Sequence, residues 1–277
     1  MSGRAYITIV RWPKDFALAE KSQALADAMG IDAYTAALRV APDPPLVVGL
    51  ADESAAPAIV EKLKARKVTS FALTQAHISR LPRPSPVKRL TPASGATDPM
   101  YMVELWREDP VGLRTADIFL LVRGTVDRST LRTQVDGAKY NTAALAMGGL
   151  GMAMAMRGPA EVTRTTETKL SQLLDIYTLD HRLLRINSDR FSFDVLGKDR
   201  GFTAMDNTDK VATLLTSQAP QALVDLGFSH FKPPPDFAGV TMTGSGSNST
   251  TIQRDNSSTF DFYSGWTYTI QRALSRR

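Results

Sequence analysis

The 277-residue chain contains no cysteine and only three histidines, His77, His181 and His230. The first absence excludes disulfides, thiolate metal sites and a cysteine nucleophile together. No two histidines stand at ligand spacing such as HxxxH, so no metal is expected, and no cofactor either. Long apolar runs are missing as well: AALAMGGLGMAM at 143–154 falls short of the roughly 20 residues a membrane span needs and is rich in glycine. The short apolar stretch in MSGRAYITIVRWPKD runs into Trp12 and Pro13, which reads as a strand and not as a signal peptide. The segments GGLG, GSGS and LGKDRG lack the strand–loop–helix setting that cradles a phosphate, and no serine stands in a GxSxG elbow. Catalytic residues are accordingly not assigned.

What is present has the proportions of a soluble globular protein, 43% hydrophobic and 22% charged, and the length favours two domains. A net charge of +5 permits contact with nucleic acid without demanding it. With no disulfides available, the cytoplasm is the expected compartment.

Residues 1–75 read as a small α/β sandwich of order β-α-α-β-α-β. AYITIV alternates as a strand does, and DFALAEKSQALADAMG sets Leu18, Ala24, Leu25, Ala28 and Met29 at helical spacing, with Asp15 near the start and Gly30 as the stop. A second helix, IDAYTAALRVAP, has Asp32 as its cap. PLVVGLA and VTSFALTQ are strands flanking DESAAPAIVEKLKARK, a helix with Pro57 in its first turn. The run MGIDAYTAALRVAPDPPLVVGLADESAAPAIVEKLKARKVTSFAL resembles the C-terminal domain of the bacterial ribosomal stalk protein. In both, a Gly–hydrophobe pair opens a helix that ends near proline, and an acid-capped helix precedes the last strand. The resemblance implies an adaptor-type fold. The family's Lys-rich partner-binding helix is matched here by Asp32, Ala33, Tyr34, Ala36 and Ala37, so no binding residue carries over.

Residues 76–99 are rich in proline and read as a stiff, extended, basic linker. Its Arg80, Arg83, Lys88 and Arg89 have no acidic neighbour in sequence and are the candidate nucleic-acid-binding residues. Residues 100–238 read as a β-rich, antiparallel second domain with helices. MYMVELW, ADIFLLVRG, LLDIYTL, HRLLRIN and FSFDVLG are its strands, DNTDKVATLLTSQAP is a helix, and QALVDLG is a further helical turn or two. An irregular insertion is expected at about 127–167; in it Met147, Leu150, Met152 and Met154 form a candidate partner-binding patch, methionine being adaptable at contact surfaces.

A Ser/Gly-rich linker, 239–259, leads to a C-terminal amphipathic helix at 260–277. Phe262, Tyr263, Trp266 and Ile270 share its apolar face, while Thr267, Gln271 and Arg272 face away. Those four are the other partner-binding candidates, although return of the helix onto the second domain's own sheet is the expected docking. The fold class is α+β. The first functional expectation is a non-catalytic interaction or scaffold protein that self-associates or docks to a protein partner. The alternatives are a nucleic-acid- or ribosome-associated protein, and an enzyme built on Asp175, Asp180, Asp189, Asp194, Asp206 or Asp209, acids that turn and cap roles already explain.

Overall fold

The computed structural model describes residues 3–93, 99–136, 161–234, 240–244 and 249–275. It is an α+β protein. Two compact units emerge: Met1–Thr125 with Ser171–Ala238 and Thr259–Arg277, and Val126–Leu170 with Gly239–Ser258. The proline-rich stretch at 76–99 therefore lies inside the first unit and does not separate domains.

In the first unit, β1 (Arg4–Arg11) is the middle strand of an antiparallel sheet ordered β2-β1-β3, with β2 at Leu46–Asp52 and β3 at Thr69–Thr74. Three helices, α1 (Leu18–Met29), α2 (Ala33–Val40) and α3 (Ala56–Ala65), join Ala5, Ile7 and Ile9 in one core. α1 begins after Ala17, whose N–H donates to the Glu20 carboxylate, rather than at Asp15. It ends on Gly30 at φ +68°, a left-handed stop that glycine enters without steric penalty. Asp32 caps α2 by accepting from the Thr35 N–H at 2.8 Å, and those bonds hold its carboxyl below the ordinary range.

The second sheet of this unit corrects the linker. α4 (Gln75–Ser79) is followed by β4 (Ser85–Pro92), which pairs antiparallel with β5 (Met100–Leu105) and parallel with β9 (Leu183–Asn187). Pro86 and Pro92 stand near the strand ends, while Val87 and Leu90 between them are buried in the core. β6 (Val111–Arg114), β7 (Ile118–Asp136), β8 (Glu161–Thr178) and β10 (Leu223–Asp225) complete the order β10-β7-β8-β9-β4-β5-β6. β10 replaces the helical turn expected at QALVDLG: it extends the sheet parallel to β7, with Leu223 opposite Leu120. α5 (Ala204–Gln218) sets Val211 and Leu215 against Ile118, Leu174, Ile176 and Ile186 of this sheet.

The second unit contains strands where irregular chain was expected. β7 continues to Asp136, β8 starts at Glu161, and β11 (Val240–Gly244) and β12 (Ser249–Asp255) fill most of the expected Ser/Gly linker. β12 pairs antiparallel with both β11 and β7. The Thr-rich segments TVDRSTLRTQVD and STTIQRD suit a pleated strand, but their few apolar residues, Val126, Leu131, Val135 and Ile252, hide them from a hydrophobicity search.

The C-terminal segment is a helix, α6 (Ser257–Ser275), and it is buried on nearly every side. Phe262, Tyr263, Trp266 and Ile270 are 3%, 4%, 1% and 1% exposed, and Ser264, Thr267 and Tyr268 around them are buried as well. Phe262 meets Tyr6 of β1 edge-on at 4.9 Å, and the Trp266 indole donates to the Thr8 hydroxyl at 2.9 Å. On another side Tyr268 stacks on Tyr177 of β8 at 4.3 Å, and Phe260 meets Phe228 at 5.1 Å. α6 thus lies between the two sheets of the first unit, and its aromatic residues are core with no face left for a partner. Among the described residues, no helix is long and apolar enough to cross a membrane.

Candidate functional site

The sequence-predicted site residues scatter. Met147, Leu150, Met152 and Met154 lie outside the described residues. Lys88 and Arg89 both reach Glu104, at 3.8 and 2.8 Å, because the β4–β5 ladder brings it beside them; the bond from Arg89 is the main cause of the lowered Glu104 pKa. One of the four charges of the expected nucleic-acid stripe is therefore offset. Arg83 is exposed, and only Arg80 reaches a cavity.

The aspartates do not form an acid–base pair. Asp194 accepts from Ser192, Asp189 from Ser171, Asp209 from Arg123 and Gln172, and Asp206 pairs with Lys210. Asp175 is fully buried and holds Arg185 through two bonds of 2.6 and 2.8 Å. Ser264 of α6 donates to the same carboxylate at 2.5 Å, and Arg185 also reaches Asp261 of α6. The Tyr177 hydroxyl stands 3.0 Å from Ser264; burial, then the nearby Asp175 charge, pushes that phenol above its ordinary range. Buried polar groups satisfied this completely fix one seating of the helix, and Ser264 has neither an imidazole base nor access for a substrate.

The arrangement with chemical capacity is a cavity of about 600 Å³ at the far end of α6. Three chain segments wall it: α4 and the turn behind it with His77, Arg80, Leu81 and Pro82; the β8–β9 turn with His181; and the last turns of α6 with Tyr268, Thr269, Arg272 and Ala273. The Thr74 hydroxyl starts α4 by accepting from the His77 N–H at 3.1 Å, and the Arg80 N–H then closes back on the His77 carbonyl. His181 adopts φ +66° in the tight β8–β9 turn. There its Nδ1 lies 2.6 Å from the Tyr268 hydroxyl and its Nε2 lies 2.9 Å from Nη2 of Arg272. A guanidinium only donates, so Nε2 is the acceptor and Nδ1 carries the proton toward Tyr268. His181 thus bridges Tyr268 and Arg272 and aims the guanidinium.

Arg272 is the unusual member. Its guanidinium lies 5.2 Å from the centroid of Phe119, and its Nε is buried without an acceptor. Among the described residues no carboxylate forms an ion pair with it, and no acid lines the cavity. Asp180, next to His181 in sequence, turns away to Arg182 and Thr178. The C-terminus of α6 contributes about half a negative charge, which the two guanidiniums of Arg80 and Arg272 outweigh. Such a site can hold an anion. It contains no nucleophile–base pair, and no group of acids and histidines among the described residues could hold a metal ion.

A second cavity, of about 500 Å³, runs beside the edge strand β2 and the segment from His230 to Pro234. The edge is closed to strand addition: Arg39 donates to the Val48 carbonyl at 3.0 Å, the β1–β2 register shifts at that point, and Pro45 stands at the strand's entry. No family model, curated protein or solved structure matches this chain.

Proposed function

We propose that the protein is a non-catalytic binding protein that recognises its partner through an anionic group seated in the cavity of His77, Arg80, His181 and Arg272. The observation that carries this reading is the Arg272 guanidinium, positioned by His181 and Phe119 yet left without a counter-charge in a cavity that no acid lines. The adaptor-type element order of residues 1–75 supports binding over chemistry, as does the lack of a paired acid–base group among the described aspartates. The cytoplasm is the proposed compartment, a setting that suits a chain without cysteine. A nucleic-acid surface is less well supported, since Glu104 binds Arg89 and offsets one of the two charges of Lys88 and Arg89.

The test is thermal unfolding in phosphate, sulfate and citrate at constant ionic strength. Binding predicts a saturable rise in Tm that Arg272→Gln and Arg80→Gln each reduce. A rise of equal size in both variants is a bulk salt effect and refutes the site.

A further inference from the structure

Resting on that reading, we infer that the ligand is a phosphomonoester carried on a small organic body. Two arginines from separate chain segments line the cavity, Arg80 from the turn after α4 and Arg272 from α6, with His77 on the same segment as the first. Among the described residues, the side chains of His77 and Arg80 make no hydrogen bond or ion pair, so their donors remain available to a ligand. A carboxylate presents a single charge in one plane and is satisfied by one guanidinium fork. A phosphomonoester carries about −1.5 to −2 at pH 7 on three terminal oxygens, which suits separate donors supplied by two chain segments. Its charge also balances the two guanidiniums, where a carboxylate leaves one uncompensated.

The rest of the cavity argues for the organic part. A volume of about 600 Å³ is that of a small-molecule site and exceeds what a bare phosphate fills. Leu81, Pro82 and Ala273 supply an apolar wall beside the charged end. Inorganic phosphate leaves that wall wet, whereas a compact apolar or aromatic group covers it.

The experiment is isothermal titration of the full chain with phenyl phosphate, benzoate, inorganic phosphate and a phosphoserine hexapeptide. The expected result is phenyl phosphate binding at least about tenfold more tightly than benzoate or inorganic phosphate, and no more weakly than the peptide. Arg80→Gln and Arg272→Gln should each weaken phenyl phosphate by about tenfold or more. Because Arg80 is exposed, Arg80→Gln should leave the Tm unchanged, which separates lost binding from lost fold. Equal affinity for benzoate overturns the phosphoryl assignment while the anion site stands. Inorganic phosphate matching phenyl phosphate overturns the organic body, and tighter binding of the peptide overturns the small-molecule class. No binding of any anion overturns both this inference and the function on which it rests.

Discussion

Trp266 is the contact at which the seating of α6 against the first sheet can be measured. Its ring is 1% exposed, packs at 5.3 Å from Phe231 and 5.8 Å from Tyr263, and donates through Nε1 to a Thr8 hydroxyl that is itself fully buried. Trp266→Ala removes the ring and leaves a cavity, a change that costs about 3–5 kcal/mol in a packed core. It also strips the Thr8 hydroxyl of its donor, adding about 1 kcal/mol. Against a total stability of about 5–15 kcal/mol, that removes a large share of the margin. The two contributions separate in gentler variants. Thr8→Val keeps the volume but leaves the indole N–H buried and unpaired, at about 1–3 kcal/mol. Trp266→Phe loses the same bond together with part of the ring. If the bond is real, adding Thr8→Val to Trp266→Phe costs less than Thr8→Val does in the parent, by about 1 kcal/mol. Urea unfolding followed by circular dichroism, with the slope checked for constancy, reads the parent and the four variants. Additive effects of the two substitutions, or a Trp266→Ala loss below about 1 kcal/mol, would refute the buried seating of α6.

Three further outcomes are expected. A Cβ at Gly124 of β7 would come within 2.6 Å of both the Phe228 and Phe260 rings, so Gly124→Ala should lower stability by about 1–3 kcal/mol, read from the urea midpoint. In the second unit Asp255 is partly desolvated, but bonds from Ser257 and Arg128 more than offset this and lower its pKa. Its stabilisation is full above the unfolded carboxylate value of about 4 and lost as pH falls through the depressed native value, so an Asp255→Asn variant should show a flatter acid limb in a pH–Tm profile. At the alkaline end burial raises the pKa of Tyr101, Tyr177 and Tyr263. The stability they contribute is full below about pH 10 and declines above it, so the tyrosinate absorbance of these three should rise only as the chain unfolds.

The N-terminal layer was legible because its signals are local. Gly30, Asp32 and Pro57 punctuate helices whose apolar residues recur at helical spacing, and β1 alternates cleanly. What local pattern could not convey is that β1 is buried on both faces, since Tyr6 and Thr8 read as the solvent side until α6 covers them. The same gap affects α6. Its helical period was plain, but Ser264 and Thr267 look like an outward stripe, and only Asp175, far back in sequence, turns Ser264 inward. β4 was hidden by its prolines, whose placement near the strand ends is a matter of register. Of the cavity, sequence offered Arg80 as a charge and Arg272 as a helix-end base. Nothing near either residue indicated that His181, in a turn between two strands, would meet Arg272, because that encounter depends on how three remote segments pack.

α6 divides its length between two tasks, and the division makes the site rigid. From Phe262 to Tyr268 it is core, held by Trp266 toward one sheet and by Ser264 on Asp175 toward the other, whereas Thr269, Arg272 and Ala273 line the cavity. A recognition residue one turn beyond a doubly clamped helix segment inherits the position of that segment, and the Phe119 ring with His181 fixes the remaining side-chain torsions. Holding Arg272 uncompensated in this way serves no purpose for the core, since the clamp is complete without it. On the proposed reading the guanidinium receives an external anion, and loosening the clamp at Trp266 should then weaken anion binding even though Trp266 is not among the residues that line the cavity.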